Sequence, residues 1–542
     1  MLTPTVIKLS IIVVFFAVTI LVGILSNRSA KGMDGFVLGG RSVGPWLTAF
    51  SFGTSYFSAV IFIGYAGRFG WNFGLASTWI GLGNALIGSL LAWVLLGRRT
   101  RIMTQHIGSR TMPDFFGLRY GSRGLRVAAA LIVFVFLIPY TASLFNGLAQ
   151  LFSASFDLNY TWWVVIMAVL TGVYVIVGGY MGAAINNFIQ GLVMLVGIVA
   201  VIAAVLHNNG GLMEAIARLS EGSVQVGETE FKGAYTSFFG PQPLQLLGVV
   251  VLTSLGTWGL PQMVGKFYAI KDEGAIKKGT IVSTAFALIV AGGCYFLGGF
   301  GRLYADRIQL GADGNPTSFD AIIPAMLSGV ESALGNGGAW LIGLVLILVL
   351  AASMSTLSSL AMTSASTITL DLIVPARKKN KEKSNLFIMR VLIAVSIVVA
   401  AAIAILVVSN KELASRLYIS DLMGVSWGAL SGCFLAPFLY GLYWKGVSRA
   451  AVWTSFATGL GITMTQFVLK AVCKMTFENP VLAYFMDSSI NAGMLAMVVG
   501  LVLVPVVSLI SGRSRPDNTE ELFSCYDRMV EVPVGTALEQ SK

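Results

Sequence analysis

The chain has 542 residues, of which 56% are hydrophobic and only 11% are charged, and its formal net charge is +11. A soluble domain carries about 25% charged residues, so this composition excludes a soluble globular protein and indicates a polytopic membrane protein. The sequence contains no nucleotide-binding loop and no hydrolase or kinase motif, so we expect neither an enzyme nor an ATP-driven pump.

Thirteen apolar stretches are long enough to cross a bilayer as helices. They lie near residues 7–26, 45–66, 75–97, 127–152, 160–178, 184–206, 243–264, 280–300, 338–370, 387–408, 417–443, 450–472 and 490–511. The first stretch lacks a basic segment and a small-residue cleavage site, so we expect it to be retained as a membrane helix. The sequence therefore predicts an all-α membrane protein with thirteen transmembrane helices.

Most of the 36 lysines and arginines collect in alternate loops, chiefly within 98–126, 266–278 and 377–390. Basic loops face the cytoplasm, so we expect the N-terminus outside and the C-terminus inside, in a cell membrane such as the bacterial plasma membrane. The basic residues are scattered over separate loops. We therefore expect the lipid bilayer, not a nucleic acid, to be their partner.

Spans two and seven are interrupted near mid-depth by polar and helix-weakening residues. Both contain Ser-x-Gly-Thr, at Ser51–Thr54 and at Ser254–Thr257, and span seven adds Pro261. These spans are five apart, so their groups of five helices have opposite orientations, as in transporters built from inverted repeats around a central site. The alternative is that the glycines and the proline produce ordinary kinks.

This pattern predicts a ten-helix core with peripheral additions. The expected parts are an N-terminal extra helix within 1–30, a first five-helix repeat at 45–206, an inverted second repeat at 243–443, two peripheral helices at 450–511 and a short cytoplasmic tail at 512–542.

Span nine contains the run Leu350–Ser359, which has five hydroxyl side chains and no charge. Ser355 and Thr356 follow Ala352 by three and four residues, which stacks the three on one helical face. Two hydroxyl oxygens and a backbone carbonyl are hard, neutral ligands that suit Na⁺. The alternative is that these small residues allow close packing and that each hydroxyl bonds to a carbonyl one turn earlier.

Five motifs in order make the chain resemble the sodium:solute symporters, the family of the sodium-coupled proline, pantothenate, sialic acid and glucose carriers. They are Gly39–Ser42, Ser58–Gly64, Gly178–Gly179 followed by Gln190, Trp258–Phe267 and Met354–Ser358. The resemblance covers nearly the whole chain. It implies a LeuT-type fold and alternating-access transport coupled to Na⁺.

The resemblance also implies where Na⁺ binds. The ligands would be the backbone carbonyls of Thr54 and Phe57 on the broken span and that of Ala352, together with the hydroxyls of Ser355 and Thr356. This set agrees with the spacing on span nine.

Two departures from the family pattern bear on coupling and substrate. Asn187 stands where the family's inner-loop element has an aspartate, which in some members belongs to a second cation site, so we expect a single Na⁺ per cycle. Tyr56 stands where sugar and proline carriers have Asn or Asp, and the pantothenate branch has Tyr there. The motifs are thus most similar to the pantothenate permease-like branch, and we do not expect a sugar as substrate.

The expected substrate cavity is aromatic and hydrogen-bonding. Its candidate residues are Tyr56, Ser58, Trp79, Tyr140, Trp258, Gln262 and Trp427. Each aromatic could equally be a packing or interfacial residue. We expect no Lys or Arg placed near mid-membrane to bind a carboxylate, so an anion would rely on the partial positive charge of half-helix N-termini.

The leading hypothesis is Na⁺-coupled uptake of a small organic acid, vitamin-like carboxylate or amino acid. The alternatives are an uncoupled facilitator or channel, in which a hydroxyl-rich Na⁺ site would have no purpose, and a transporter-like sensor, for which the polar tail after span thirteen leaves little room. No obligatory protein partner is evident from the sequence.

Overall fold

The structure is a computed structural model that describes residues 3–26, 32–156, 158–226, 229–312, 314–334, 336–377, 382–410, 419–512 and 519–527. Helices dominate these residues, as the composition predicts. Within them there is also one antiparallel hairpin of two strands, β1 (Ser223–Val226) and β2 (Thr229–Lys232), in the loop before the second broken span. This hairpin departs from the all-α prediction but lies outside the predicted spans.

Among the described residues, the first half of the chain contains ten helices joined by short turns. They are α1 (Pro4–Ser26), α2 (Gly32–Leu38), α3 (Pro45–Tyr56), α4 (Ala66–Phe73), α5 (Thr78–Gly83), α6 (Arg98–His106), α7 (Met112–Arg119), α8 (Arg123–Ser155), α9 (Tyr160–Asn208) and α10 (Leu212–Ser220). π-helical stretches at Val60–Tyr65, Asn84–Leu91 and Trp93–Gly97 extend α4, α5 and α6. We call the end of the bundle that holds α6 and α7 the basic end.

The second half repeats this pattern of long helices. It contains α11 (Pro243–Leu255), α12 (Pro261–Tyr268), α13 (Glu273–Gly298), α14 (Ile322–Leu334), α15 (Asn336–Thr367), α16 (Val374–Ala376), α17 (Glu382–Ser409), α18 (Ile419–Tyr443), α19 (Arg449–Phe467), α20 (Pro480–Met486), α21 (Ser489–Ile510) and α22 (Thr519–Phe523). Short 3₁₀ turns lie between them, including Gly256–Gly259 after α11.

The predicted count of thirteen spans is not confirmed. Among the described residues, nine helices are long and apolar enough to cross a membrane, or ten if the pair Pro243–Gly259 and Pro261–Tyr268, bent by 45°, is one span. Two of the nine are 47 and 49 residues long. A helix of that length rises about 70 Å, more than twice the hydrocarbon thickness of about 30 Å. Tyr160–Asn208 covers the two predicted stretches 160–178 and 184–206, whereas Val60–His106 covers 75–97 and only the end of 45–66.

Gly179 divides the longer of these two helices. Its backbone has φ 55° and ψ −159°, a conformation open essentially to glycine, inside the otherwise helical α9. The break falls between the predicted spans at 160–178 and 184–206. It explains why the family-like Gly178–Gly179 pair occurs at this point.

Two helices form the interior of the bundle and others its surface. In the most apolar windows of the spans Gly337–Ala376 and Asp421–Tyr443, 83% and 89% of the residues are buried, against 33% in Pro4–Ser26 and Ser489–Ile510. α15, which carries the hydroxyl-rich run, and α18 are therefore enclosed by protein. A polar side chain on either helix can face another helix or a cavity and avoid lipid.

Candidate cation and substrate site

The first broken span loses its helical hydrogen bonds just after Phe57, whose N–H still donates to the Gly53 carbonyl at 3.3 Å. α3 ends one residue earlier, and Phe57 has an extended backbone with φ −86° and ψ 132°. The N–H of Ala59 donates to the Ser353 Oγ at 3.0 Å instead of to a carbonyl of α3. The carbonyls of Thr54 and Ser55 therefore lack their helical partners and are available to other groups.

Hydroxyls of α15 face these carbonyls. We use the name oxygen cluster for the carbonyl oxygens of Thr54, Ser55, Phe57 and Ala352 with the hydroxyl oxygens of Ser355 and Thr356. Ser355 Oγ lies 2.9 Å from the Thr54 oxygen and 2.8 Å from the Ala352 oxygen. Thr356 Oγ1 lies 3.1–3.4 Å from all four carbonyl oxygens. The structure thus brings together all five residues predicted for Na⁺, and every one is buried.

The oxygen cluster has more acceptors than donors. Its two hydroxyls supply two protons, whereas each of the four carbonyl oxygens has two lone pairs. The cluster also lies at the C-terminal end of α3, where the helix dipole places partial negative charge. Such a group of hard, neutral oxygens attracts a small cation without a carboxylate. The described residues contain no group of three His, Cys, Asp or Glu side chains that could hold a metal ion.

A lysine lies one hydroxyl away from the oxygen cluster. Ser359 Oγ is 2.8 Å from the Ser55 Oγ and 3.1 Å from the Ser355 carbonyl oxygen, and Lys266 Nζ donates to it at 3.0 Å. Only 6% of Lys266 is exposed. The sequence predicts no lysine near mid-membrane placed to bind a carboxylate, and it does not predict this buried lysine. The predicted span seven ends at residue 264, whereas α12 continues to Tyr268 and carries Lys266 into the protein.

Asn187 lies beside the broken span but outside the oxygen cluster. Its Nδ2 donates to the Ser51 Oγ at 3.3 Å, one helical turn before Thr54. Asn187 is fully buried, and its Oδ1 has no hydrogen-bond partner. The amide therefore offers one free neutral oxygen at the position where the family pattern has a carboxylate.

Four of the predicted substrate residues come together just beyond the break. The ring of Trp427 on α18 lies 5.7 Å from the Tyr56 ring and 5.9 Å from the Tyr140 ring. The Tyr140 hydroxyl faces Ser58. We call Tyr56, Ser58, Tyr140 and Trp427 the aromatic cluster. All four are buried, and their side-chain polar atoms make no hydrogen bond of normal length and angle, although the Tyr140 hydroxyl lies near Ser58 and Trp427 and the Tyr56 hydroxyl lies near Thr253. Several neighbouring buried polar atoms without well-formed hydrogen bonds are typical of a site where a polar ligand or water supplies those bonds.

The other three predicted substrate residues lie elsewhere. Trp79 donates to the Phe238 carbonyl at 2.9 Å and lines a lateral, apolar cleft of about 510 Å³ between α5 and α11. Trp258 lies in the unwound part of span seven, as predicted, but its indole donates to the Ile87 carbonyl at 3.0 Å. Gln262 lines a different cavity near the basic end. The structure does not bring these three residues to the aromatic cluster.

The two ends of the bundle differ in access to the interior. At the basic end, a cavity of about 60 Å³ is lined by Gln262, Lys266 and Ser359 and has the exposed Arg110 at its mouth. At the opposite end, Arg68 on α4 pairs with Asp421 on α18 at 3.0 Å and ties the two helices together. A cavity on the side of the basic end therefore reaches Ser359, which contacts the oxygen cluster.

The chain is similar to known proteins in sequence. The profile of the family described as the sodium:solute symporter family matches residues 36–459. Curated sodium/proline symporters of Staphylococcus aureus strains JH9 and NCTC 8325 / PS 47 are each 32% identical over 275 residues. These alignments cover 49% of this chain and 51% of each relative, so the chain matches about half the length of these relatives.

Two solved structures share the fold. A Na⁺-coupled sialic acid symporter, described in a substrate-bound outward-open state with a novel Na⁺ site, has a TM-score of 0.73 at 16% identity, over 93% of this chain and 97% of that chain. MhsT in complex with L-phenylalanine has a TM-score of 0.52 at 15% identity, over 85% of this chain and 98% of that chain. At such identities the likeness shows the fold alone.

Proposed function

The chain belongs to the sodium:solute symporter family, and from this membership we propose that it is a secondary active transporter that couples Na⁺ entry to the uptake of a small organic solute. The observation that carries the proposal is the oxygen cluster between the first broken span and α15. The solute is an organic acid, a vitamin-like carboxylate or an amino acid. The curated relatives are proline symporters, whereas Tyr56 favours the pantothenate-like branch.

Na⁺ binds in the oxygen cluster. The Ser355 and Thr356 hydroxyls rotate their protons away and present lone pairs, and the carbonyls of Thr54, Phe57 and Ala352 complete the shell. Two helices supply these ligands, α15 and the broken span, so a bound cation holds the two together. The fourth carbonyl, of Ser55, is a further candidate ligand because Thr356 Oγ1 lies 3.4 Å from it.

The solute binds at the aromatic cluster. Its polar atoms hydrogen-bond to the unpaired groups of Tyr56, Ser58, Tyr140 and Trp427, and its apolar part packs on their rings. Tyr56 and Ser58 flank Phe57, whose carbonyl belongs to the oxygen cluster. The two ligands therefore share one short segment of unwound backbone, so each ordered ligand favours binding of the other.

The protein lies in the bacterial plasma membrane with its basic end in the cytoplasm, its N-terminus outside and its C-terminus inside. The support is the excess of lysine and arginine in loops such as 98–126. In this orientation the cavity beside Lys266 opens inward, and the Arg68–Asp421 pair closes the outer side.

We further propose one Na⁺ per cycle, because Asn187 has no charge to offset the dehydration of a second cation. One charge crossing 100 mV contributes about 2.3 kcal/mol, and a tenfold Na⁺ gradient contributes about 1.4 kcal/mol. Together they concentrate a neutral or zwitterionic solute by about 500-fold, but a monoanion by only about tenfold because the charges cancel.

The stoichiometry is measured as the reversal potential of solute-dependent current in proteoliposomes. One Na⁺ per solute, with a Hill coefficient near one, is the expected result. A reversal potential that fits two Na⁺ ions would reject the single-cation proposal and leave symport itself intact.

Counterflow and uptake in proteoliposomes, with and without Na⁺, test symport against its alternatives. The solute is first found by thermal stabilisation of the purified protein with carboxylates, amino acids, vitamins and sugars. A symporter accumulates that solute only under an inward Na⁺ gradient. Equilibration independent of Na⁺ would indicate a facilitator, and binding without counterflow would indicate a non-transporting sensor.

A further inference from the structure

Lys266 is a buried cation without a buried anion. Its ammonium donates to the Ser359 hydroxyl and lies 5.4 Å from the centre of the Tyr180 ring. Among the described residues, no carboxylate forms an ion pair with it. A buried charge is strongly disfavoured unless it is paired. Lys266 therefore occupies a place where a negative charge from outside the protein is favourable.

The cavity beside Lys266 has the other features of a binding site. The Gln262 amide is buried, and neither its nitrogen nor its oxygen has a hydrogen-bond partner. The Tyr180 hydroxyl on the opposite wall is likewise buried and unpaired. The charged ammonium and two unpaired polar groups thus line one space of about 60 Å³.

We propose that this cavity is a subsite for the carboxylate of a small monoanionic organic acid, with Lys266 as its ionic partner. The inference rests on the proposed transport function and narrows its substrate class: the acid binds at the aromatic cluster and occupies this second, separate subsite on its way towards the basic end. A carboxylate accepts about four hydrogen bonds, which matches the ammonium, the Gln262 amide N–H and the Tyr180 hydroxyl. The single positive charge of Lys266 is balanced by a single carboxylate, so the expected acid is a monoanion.

The size of the cavity limits what enters it completely. A group the size of a water molecule needs at least about 10–15 Å³ of cavity volume, so this cavity holds about four non-hydrogen atoms. This is the size of a carboxylate with one or two attached carbons. A larger acid extends past Gly265 towards the mouth, where a Cβ added at that glycine would meet no atom within 4 Å.

The subsite is linked to the oxygen cluster through Ser359. This hydroxyl contacts Lys266 on one side and the Ser355 carbonyl and Ser55 hydroxyl on the other. The unpaired ammonium of Lys266 lies one hydroxyl away from the oxygen cluster, so its positive charge opposes the binding of Na⁺ there. A bound carboxylate neutralises the ammonium, so it raises the affinity for Na⁺, and Na⁺ raises the affinity for the carboxylate by the same factor.

Protection of a thiol tests the subsite directly. Gly265→Cys is introduced into the full chain with the four native cysteines replaced by serine, and maleimide labelling is followed in Na⁺-free choline buffer. Propionate or pyruvate slows labelling by about tenfold at ten times its half-protecting concentration, whereas propionamide and chloride do not. Equal protection by propionamide or chloride, or no protection by either acid, would overturn the proposal.

Two substitutions identify the ionic partner. Lys266→Gln abolishes protection by propionate, and Lys266→Arg retains it; protection that survives Lys266→Gln would contradict the assignment. Both variants are first checked for a monodisperse elution profile. If Lys266→Gln does not fold, the comparison of propionate with propionamide in the protein that retains Lys266 still shows whether the cavity binds a carboxylate.

The effect of propionate on Na⁺ affinity distinguishes an ionic role of Lys266 from a purely structural one. Propionate lowers the half-saturating Na⁺ concentration by at least about fivefold in the Lys266 protein and leaves that of Lys266→Gln unchanged. An equal effect of propionate in both proteins would contradict the link. Absence of thiol protection together with intact Na⁺-driven uptake rejects the subsite alone, whereas protection without Na⁺-driven uptake rejects symport alone.

Discussion

The two broken spans have nearly the same backbone break but different surroundings. Phe57 has φ −86° and ψ 132°, and Leu260 has φ −84° and ψ 119°. Each follows the threonine of a Ser-x-Gly-Thr motif by three residues. The repeated motif therefore corresponds to a repeated local structure, as expected for inverted repeats.

What differs is the helix that faces each break. At the first break, two hydroxyls of α15 meet four carbonyl oxygens. At the second, the Ser431 hydroxyl bonds to the Gly256 carbonyl at 2.7 Å, and the Thr257 carbonyl accepts the Leu260 N–H at 3.4 Å. At the second break, each of these two carbonyls thus has one donor, a hydroxyl of the facing helix for Gly256 and a backbone N–H for Thr257. An unwound segment becomes a candidate cation site only where the neighbouring helix leaves acceptors in excess.

The largest expected effect comes from removing both hydroxyls at the first break. Ser355→Ala with Thr356→Ala deletes two oxygen ligands and little volume. Because a hydrogen bond or ligand to a charged group contributes about 1.5–3 kcal/mol, we expect the half-saturating Na⁺ concentration for uptake to rise by tenfold or more. Uptake kinetics over a range of Na⁺ concentrations measure this change.

The matched control for this double variant is Ser364→Ala. It removes a buried hydroxyl of the same helix that has no hydrogen-bond partner and lies outside the oxygen cluster. It should express and transport as the unmodified protein does. Unchanged Na⁺ dependence in the double variant would remove the cation assignment.

A smaller effect is expected at the aromatic cluster, on the far side of the first break. Tyr140→Phe removes a hydroxyl and keeps the ring, so it takes away one hydrogen bond of about 1 kcal/mol to the solute. We expect the KM for the solute to rise about fivefold while the half-saturating Na⁺ concentration stays within twofold. A change in Na⁺ affinity alone would show that Tyr140 does not contact the solute.

Breaking the ion pair at the end of the bundle opposite the basic end should have a modest effect on the half-saturating Na⁺ concentration. Arg68 and Asp421 are each about one-fifth exposed, and partly exposed pairs contribute about 0.2–1 kcal/mol. Asp421→Asn should favour opening at that end and lower the half-saturating external Na⁺ concentration by up to about fivefold. Exchange of the two charges, Arg68→Asp with Asp421→Arg, should restore the original value, and failure of that rescue counts against a gating role.

The smallest expected effect tests the comparison itself. Ser431→Ala removes the hydroxyl that bonds to Gly256, the counterpart at the second break of the Ser355 hydroxyl. Because the second break is not a cation site in this account, Na⁺ dependence should change by less than about twofold. A shift as large as that of the Ser355 and Thr356 variant would mean that both breaks bind Na⁺.

Side-chain spacing predicts one side of the oxygen cluster, because Ala352, Ser355 and Thr356 lie on one face of any helix. The carbonyls of Thr54 and Phe57 on the facing segment are implied by the resemblance to the family. Neither signal points to the Ser55 carbonyl, because every residue type has a backbone carbonyl. The excess of acceptors depends on where the helix breaks.

The errors have physical causes as well. Lys266 was treated as a loop residue because hydropathy places the end of the span before it, although α12 continues and buries it. The position of Trp79 depends on the rotation of its helix, which composition does not encode. The span count is not confirmed, because hydropathy separates stretches that the backbone joins, as at Gly179, where one residue with positive φ lies inside a continuous helical element.

Binding of radioactive sodium to the purified protein tests the central claim most directly, because it needs neither the solute nor transport. If the oxygen cluster binds Na⁺, we expect saturable binding of one Na⁺ per chain in the unmodified protein and in Ser431→Ala, and at least tenfold weaker binding in Thr356→Ala. Equal Na⁺ affinity in the unmodified protein and in Thr356→Ala, with both correctly folded, would contradict the account.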